Sequence, residues 1–463
     1  MARYEYTEGT SNKFWEIDVE DRKVITRFGR IGTKGQERVK TFKKSWEARR
    51  YRAGQVRRKT QKGYKLVRPG LPGAEPDAAR DPELEAMIAA DPDRAEGYMV
   101  YADWLQAQGD PRGELISVEH ALLSSPRSRK LLAERARLRA PYDRQLQDMV
   151  EPFNWQPPFD GAHGARAKLT WGLGFVKSAW LGHDWFAGEV GDPELMDNRE
   201  FFATLLSLLS MRLLQELTVG LWRDSDGQCD YGAVFVALAE AGPPALTRLF
   251  VGDFRFPGEI EMSWTDLGDV APIYRGALPR LRELSLQGGK MSLGSIDLPE
   301  LRAFEVCTGG LSRQNIESIV GARWPRLERL ELWFGDRYYG ADGQVEDIEP
   351  ILAGEGIPGV RHLGLRNAEF TDALCARIGG ARVLDQLETL DLSKGVMTDE
   401  GAAALAGAAA RLGHLQRLDV SENYLTPKGE RLVKGLCRKV VTGDQKEPSV
   451  WDGEEHRYVS VGE

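Results

Sequence analysis

The chain has 463 residues, of which 42% are hydrophobic and 29% charged, and this composition is that of an ordinary globular protein with more than one domain. Charge is unevenly distributed: residues 1–70 carry 20 Lys and Arg against 8 Asp and Glu, a net charge of +12. Because the whole chain has a net charge of −8, the remaining residues carry −20. Such an asymmetry predicts an anionic partner for the N-terminal part.

Several protein classes are disfavoured by the same sequence. The most apolar stretch, residues 201–214, is short and contains two serines and an arginine, so no membrane span is expected. Residues 1–6 lack the apolar run of a secretion signal, which predicts a cytoplasmic protein. The four cysteines lie far apart without a CxxC pair and are predicted to be reduced core thiols. They are Cys229, Cys307, Cys375 and Cys437.

The N-terminal 68 residues are predicted to form a small α+β domain. Alternation of polar and apolar residues predicts strands over 4–6, 14–19, 23–28 and 37–42. A helix with many arginines is predicted to begin at Ser45, its N-cap.

A motif in the centre of this domain resembles a known family. Residues 27–36 read RFGRIGTKGQ, with KFWE at 13–16 before them and KTQKGY at 59–64 after them. The segment resembles a WGR domain, as found in poly(ADP-ribose) polymerases that sense DNA breaks. The resemblance implies that the tryptophan and arginine of that name pack against a terminal nucleotide and its 5′ phosphate.

The candidate nucleic-acid site follows from that motif and from its chemistry. Phe28 stands at the tryptophan position, whereas Gly29 and Arg30 match the family. An arginine offers a planar fork to phosphate, and an aromatic ring can stack on a base or sugar. Further cations predicted to attract the polyanion are Lys34, Lys40, Lys43, Lys44 and Lys62. The alternative interpretation is that Phe28 is a core residue and the lysines form a solvated face.

Residues 69–80 are rich in Pro and Gly and are predicted to be a linker. Residues 81–150 are predicted to form four helices, the second starting at Asp91-Pro92. The segments 102–105 and 109–114 resemble the short helical domain that precedes repeat arrays in many bacterial proteins, which implies no activity. Capping and turn formation explain its acidic residues better than metal binding does. These are Asp103, Asp110 and Glu114.

Residues 151–441 are organised by a pattern that returns eight times: a leucine-like residue, two variable, another, one variable, another. The copies begin at Leu214, Leu246, Leu281, Leu301, Leu327, Val360, Leu387 and Leu415. The last copy runs into Asn423, which completes the LxxLxLxxN signature. The array resembles the longer, helix-bearing leucine-rich repeats, and this implies an α/β solenoid with a curved parallel sheet and outer helices. Val176, Ala179 and Leu181 are predicted to form a first, degenerate strand.

The positions between the leucine-like residues are predicted to face the concave surface of the sheet. Aromatic residues beside arginines there, with Phe250 and Trp333 taken as exposed, predict a protein-binding patch. The candidate residues are Trp180, Phe250, Arg329, Glu331, Trp333, Arg361, Arg366 and Asp391. The alternative is an amphipathic sheet with solvated charges.

The remaining features of the array concern its helices and its end. Thr371, Thr398 and Thr426 are predicted N-caps, and the 20-residue unit after Leu281 has no room for a full helix. Residues 442–463 are predicted to be a C-terminal cap in which Tyr458 to Val461 forms a strand pair at the open edge.

No catalytic, cofactor or metal motif is found: HExxH, GxSxG and a P-loop are absent, and the six histidines are scattered. The sequence therefore predicts a non-catalytic bacterial adaptor. Its N-terminal domain would bind nucleic acid, DNA near an end or nick, and its array would bind a protein partner; no membrane contact is expected. The alternative is a protein-only scaffold or regulator whose basic domain binds an acidic protein surface, including that of the array itself.

Overall fold

The computed structural model describes residues 2–7, 11–20, 22–44, 48, 51–52, 55, 58–59, 62, 64–67, 80–150, 165–183, 198–222, 229–274, 276–451 and 453–463. Most of the helix predicted from Ser45, nearly all of the predicted linker and the stretch 151–164 lie outside these residues. Within the described part of the chain, no helix is long and apolar enough to cross a membrane.

An antiparallel sheet with the strand order β4-β3-β2-β1-β5 forms the described core of the N-terminal domain. Its strands are β1 (Ala2–Tyr6), β2 (Lys13–Glu20), β3 (Lys23–Arg30), β4 (Gln36–Thr41) and β5 (Lys65–Val67). Trp15 lies opposite Tyr4 on one neighbouring strand and Phe28 on the other. Because directly opposed residues share a face of the sheet, these rings pack into one aromatic core. The four predicted strands are present, and β5 was not predicted.

Four helices follow within residues 80–150. They are α1 (Pro82–Ala90), α2 (Ala95–Ala107), α3 (Pro111–Ser124) and α4 (Arg129–Val150). Asp81 and Asp110 cap α1 and α3 by accepting hydrogen bonds from backbone N–H groups of the first turn. The predicted start of α2 at Asp91 is wrong, because Asp91 closes a turn after α1 and its carbonyl accepts from the N–H of Arg94.

These helices pack against the first strands of the repeat array. Phe175 of the array lies 6.3 Å from Tyr98 and 6.2 Å from Tyr101, measured between ring centroids. Glu85 pairs with Arg212 of the array at 2.9 Å, and its side chain is only 5% exposed. The helical segment therefore covers the apolar end of the array that would otherwise face solvent.

An eleven-stranded sheet runs through the described part of the array, in the order β19-β18-β17-β16-β15-β14-β12-β10-β8-β7-β6. Its strands are β6 (Ala165–Gly172), β7 (Phe175–His183), β8 (Glu216–Gly220), β10 (Arg248–Asp253), β12 (Glu283–Gln287), β14 (Ala303–Cys307), β15 (Arg329–Gly335), β16 (His362–Ala368), β17 (Thr389–Asp391), β18 (Arg417–Asp419) and β19 (Val440–Val441). Neighbouring strands from β7 to β19 are parallel, and β6 is antiparallel to β7.

The predicted leucine pattern is confirmed, because all three positions of all eight copies are buried. Leu249 pairs with Leu217 on one side and with Leu284 on the other, so the apolar residues form continuous ladders across the repeats. The predicted degenerate strand is β7, in which Ala179 pairs with Leu217. The strand that ends the sheet is β6, however, and not β7.

Helices lie in the connections between the strands. They are α5 (Asn198–Ser207), α6 (Gly232–Ala241), α7 (Arg313–Val320), α8 (Glu349–Leu352), α9 (Thr371–Ile378), α10 (Asp399–Gly407), α11 (Ala409–Leu412) and α12 (Pro427–Val433). Thr398 and Thr426 are N-caps as predicted. Thr371 is not, since it is the first helical residue and its hydroxyl donates to the carbonyl of Ala368.

The short unit after Leu281 contains a strand instead of a helix, in agreement with the prediction. This strand, β13 (Lys290–Ser292), joins β9 (Cys229–Asp230) and β11 (Thr265–Asp269) in a small parallel sheet.

The end of the chain differs from the prediction. The edge of the large sheet is closed by β19, and a separate hairpin follows, made of β20 (Ser449–Trp451) and β21 (Glu454–His456). Residues 458–461 form no strand. They turn away from the edge, because their backbone groups bond to Asn367 near the end of β16 and to the loop that follows β17.

Candidate functional site

The aromatic-glycine-arginine triplet ends strand β3. Arg30 is exposed, whereas Phe28 is half-buried and packs into the aromatic core of the sheet. The guanidinium of Arg38 lies over the Phe28 ring, 5.1 Å from its centroid. Phe28 is therefore a core residue on one side, and a cation covers part of its remaining surface.

The glycines after β3 fold a loop over Phe14, whose side chain is 1% exposed. A Cβ on Gly35 would come within 2.5 Å of the Phe14 ring, and a Cβ on Gly29 within 2.9 Å of the Gly35 Cα. Gly35 also has a φ of +69°, which other residues adopt only with strain. The hydroxyl of Thr33 donates to the carbonyl of Arg30 at 2.7 Å and closes the loop. These glycines thus hold Arg30 at an exposed turn.

Cations gather at this end of the sheet. Lys13 lies directly opposite Arg30 on the neighbouring strand, so both side chains leave the same face. Burial, together with the positive charges of Lys62 and Lys13, lowers the pKa of Lys59. We define Lys13, Arg30, Lys59 and Lys62 as the cation cluster.

The predicted lysines are divided between the two ends of the sheet. In the pairing of β3 with β4, Phe28 lies opposite Gln36 and Lys23 opposite Thr41. Lys34 precedes β4 and therefore lies near Arg30, whereas Lys43 and Lys44 follow β4 at the far end. Lys40, on β4, has its ammonium 3.8 Å from the centroid of Tyr51. The structure therefore brings together Arg30, Lys34 and Lys62, and places the other three elsewhere.

On the array, Glu331 is the centre of a network of charged side chains. Its side chain is 2% exposed and accepts from Arg366 at 2.6 Å, from Arg329, and from His362 at 3.2 Å. Burial alone would raise the pKa of Glu331, but the hydrogen bond with His362 and the charges of Arg366 and Arg329 outweigh it and lower the pKa to about 2. Glu331 is already fully engaged within the array.

Trp333 was predicted to be exposed, and this is wrong, since it is half-buried. It pairs in register with Arg366 on the next strand, and that guanidinium lies 4.5 Å from the indole centroid. The indole N–H donates to Glu331 at 3.2 Å. Asp391 joins the same network through Arg366, at 3.4 Å. Parallel register places these residues side by side, so they saturate one another instead of facing solvent.

The other predicted residues lie apart from the network. Trp180 donates its indole N–H to Asp253 at 2.6 Å and lies over Gly220, where a Cβ would come within 2.7 Å of the ring. Phe250 was also predicted to be exposed, but it is half-buried on β10, three strands from Trp333 in the sheet order. Arg361 is exposed and precedes β16. The eight candidates therefore do not form one continuous patch.

Family models match two parts of the chain. The WGR domain matches residues 1–70, and a leucine-rich repeat matches residues 387–406. The chain carries a WGR domain and leucine-rich repeats. No curated protein matches it significantly.

Two solved structures are similar to the chain. A crystal structure of a protein from Bacteroides fragilis is 22% identical, covers 100% of this chain and 99% of its own, and has a TM-score of 0.50. This likeness concerns the fold alone. A crystal structure of an internalin from Listeria monocytogenes is 14% identical, covers 53% of this chain and 70% of its own, and has a TM-score of 0.30.

Within the WGR domain, Lys13 and Lys59 are members of the cation cluster that sequence reasoning missed. Both stand in segments that carry the family resemblance, KFWE and KTQKGY. The strand pairing of Lys13 with Arg30 was the signal that would have revealed the first of them. Lys59 lies next to Lys62 through a turn in which the N–H of Lys62 donates to the Lys59 carbonyl.

The cysteines are free thiols, and three of them are buried in the core as predicted, while Cys437 is half-buried. Burial raises the pKa of the Cys307 and Cys375 thiols. Thiols of this kind are poor nucleophiles, because the thiolate is the reactive form. Among the described residues, no group of three or more His, Cys, Asp or Glu side chains is arranged to hold a metal ion.

Proposed function

We propose that the protein is a non-catalytic adaptor whose WGR domain binds DNA near an end or nick and whose repeat array binds a protein partner. The observation that carries the first part is the cation cluster. Lys13, Arg30, Lys59 and Lys62 concentrate positive charge at one end of a small sheet, close enough for one lysine to lower the pKa of another. Like charges held together in this way favour a polyanion, since phosphates relieve their repulsion.

The availability of Arg30 supports the same proposal. The neighbouring Arg27 is held by Glu16 at 2.6 Å, and the Glu16 side chain is 5% exposed. Among the described residues no carboxylate forms an ion pair with Arg30 or Lys34, and both are exposed. Arg27 therefore has a structural role, whereas Arg30 can offer its guanidinium to phosphate.

The test is a titration of the full chain with a nicked duplex that carries a 5′ phosphate, followed by fluorescence anisotropy. Arg30→Ala and Lys13→Ala are each expected to weaken binding about tenfold, because each removes a phosphate contact from the cluster. Lys43→Ala is the matched control, since it removes the same charge at the far end of the sheet, and it is expected to change the affinity less than about twofold.

A DNA affinity that is unchanged by Arg30→Ala, or that is lowered equally by Lys43→Ala, would contradict the proposed site. Absence of binding to any duplex would instead favour the protein-only alternative, in which the basic domain binds an acidic surface.

For the array, the proposal rests on its concave sheet and on the aromatic side chains that remain partly accessible there. Phe250 is half-buried, and in the described part of the chain no charged network lies over it, whereas Trp333 lies beneath Arg366. We therefore expect a partner recovered with the intact protein to be lost with Phe250→Ala and retained with Trp333→Ala. Equal recovery with both variants would contradict a role for Phe250.

A further inference from the structure

The segment Tyr458–Glu463, here named the crossing peptide, lies across the loops that follow the strands of the array. From Tyr458 to Glu463, successive residues of the crossing peptide contact progressively earlier repeats of the array. In this order the sites are Tyr424, Lys394, Asn367, Gly309 and Met262. The segment is therefore arranged as an extended peptide bound crosswise to the strands, and not as a further repeat.

Backbone groups of the crossing peptide are recognised by the array. The side-chain amide of Asn367 donates to the Val461 carbonyl at 2.5 Å and accepts from the Val461 N–H at 2.9 Å. Asn367 is fully buried and has a φ of +55°, which asparagine tolerates better than most residues. The N–H of Ser460 donates to the Lys394 carbonyl at 2.9 Å. Both polar groups of one peptide residue are thus satisfied by a single buried side chain.

Val461 occupies an apolar pocket. Its side chain is 4% exposed, and Val459, on the same segment, is 8% exposed. The pocket is lined by Leu221, Cys229, Phe254, Ile260, Met262 and Cys307. These residues come from several different repeats, so the pocket exists only where the loops of the array meet.

Gly462 passes through a narrow place beside Asp336, Tyr339 and Gly309. A Cβ on Gly462 would lie 3.2 Å from the Cβ of Asp336 and 3.3 Å from the ring of Tyr339. On the other side, a Cβ on Gly309 would overlap the carbonyl oxygen of Gly462. The two backbones approach closely because Gly309 lacks a side chain.

The first residue of the crossing peptide is held by two side chains. Tyr424 Oη accepts from the Tyr458 N–H at 2.8 Å and donates to the Tyr458 carbonyl at 2.9 Å. Lys446 Nζ donates to the same carbonyl at 2.8 Å and to the Gly395 carbonyl at 3.0 Å. Between Lys446 and Tyr458 lies the β20–β21 hairpin, whose strands pair with each other and with no strand of the large sheet in the described part of the chain. The crossing peptide is therefore joined to the last repeat through a hairpin that is not a strand pair of the large sheet.

We propose that these loops of the array form a peptide-binding groove whose ligand class is an extended segment with the pattern Val-x-Val-Gly. The crossing peptide occupies the groove in cis. The pocket selects valine, Asn367 selects an extended backbone, and the close approach of Asp336 and Tyr339 favours glycine after the valine. The pocket adjoins the concave face at Trp333, which packs against it. The inference rests on the contacts of the crossing peptide alone, so it does not depend on the function proposed for the concave face or for the WGR domain.

The probe is a fluorescently labelled synthetic peptide of residues 458–463, titrated into the full chain and followed by anisotropy. In the wild type the tethered segment has a high effective concentration and blocks the groove. Val461→Asp in the full chain places a carboxylate in the apolar pocket and releases the segment. We expect the labelled peptide to bind the Val461→Asp chain at least about tenfold more tightly than the wild type.

Two control peptides test the pattern, one with Val461→Asp and one with Gly462→Val, and neither is expected to bind. Circular dichroism checks that the variant chain is folded; if it is not, Gly462→Val in the full chain releases the segment by steric overlap and serves instead. Absence of binding to a folded release variant, equal binding to wild type and variant, or binding of either control peptide would overturn the proposal.

Discussion

Glu331 accepts hydrogen bonds from three side chains of two adjacent strands of the array, Arg329, His362 and Arg366. A carboxylate that is 2% exposed would be costly without partners, so its neighbours are required for the fold and not only for a surface. The sequence predicts Arg329, Glu331 and Arg366 as part of a partner-binding patch. Their roles differ because parallel register places them against one another.

This network predicts an acid-sensitive contribution to stability. The pKa of Glu331 in the folded chain is about 2, below its ordinary value of 4.5, so the contribution is complete above pH 4.5 and is lost as the pH falls toward 2. Glu331→Gln is expected to lower the free energy of unfolding at pH 7 by about 3 kcal/mol. The free energy of unfolding of this variant should also decrease less between those two pH values, because the variant lacks the carboxylate that becomes protonated. Urea unfolding at several pH values, followed by tryptophan fluorescence, measures both effects.

The control is Glu328→Gln, whose side chain is 57% exposed in its pair with Arg302. It is expected to change stability by no more than about 0.5 kcal/mol. A pH dependence of Glu331→Gln that is indistinguishable from that of the wild type would show that the network does not act as described.

At the scale of elements, the first hairpin of the array depends on the helices before it. Phe175, at the start of β7, is 1% exposed and packs against Tyr98 and Tyr101 of α2. The backbone N–H of Gly174 donates to the buried Glu119 of α3 at 2.8 Å. The helices therefore act as the N-terminal cap of the solenoid, which repeat arrays need because their end units expose apolar surface.

Phe175→Ala tests this capping role. Loss of the buried ring is expected to lower the free energy of unfolding by about 3 to 5 kcal/mol, because a cavity forms between the helices and the sheet. Leu123→Ala on α3 is the matched control, since that side chain is 66% exposed and its loss is expected to cost less than about 0.5 kcal/mol. Thermal and urea unfolding compare the two, and equal effects would argue against a cap.

Neighbouring repeats are also joined by a ladder of side chains that the sequence pattern did not predict. Asp372 accepts from the Thr398 N–H and hydroxyl, and Asp399 accepts from the same groups of Thr426 one repeat later. Each threonine was predicted as an N-cap of its own helix. The aspartate of the preceding repeat is what fixes its position, and only the stacking of repeats brings the two together.

At the scale of the whole molecule, the WGR domain has a net charge of +12 and the rest of the chain has a net charge of −20. This contrast would determine which part of the protein attracts a polyanion. The negative array repels nucleic acid, so attraction is confined to one domain. Binding to DNA should then follow the local cations and not the net charge of −8.

Salt dependence gives the corresponding prediction. If the four cations of the cation cluster each neutralise a phosphate, the logarithm of the DNA affinity is expected to fall with the logarithm of salt concentration with a slope of about −4. Lys59→Ala should make this slope less negative by about 1, and Lys62→Ala should do the same. Titrations at three salt concentrations measure the slope, and a value near zero would contradict phosphate binding by the cluster.

Much of the array was predictable because its information is local. A leucine-like residue of the pattern is buried by contacts within its own repeat and with the neighbouring repeat. All eight copies of the pattern are buried, as predicted. The strands of the WGR domain followed from alternation for the same reason. The predicted exposure of Trp333 and Phe250 was wrong, since both side chains are half-buried.

The sequence by itself determined a basic WGR domain, a helical segment and a solenoid of repeats, because periodicity and charge are properties of residues near one another in the chain. Only the tertiary structure decided which cations meet, that Arg366 covers Trp333, and that residues 458–463 lie in a groove made by loops of several repeats. Those contacts depend on strand register and on the packing of segments that are far apart in sequence. They and the burial that results from them exist only once the chain has folded.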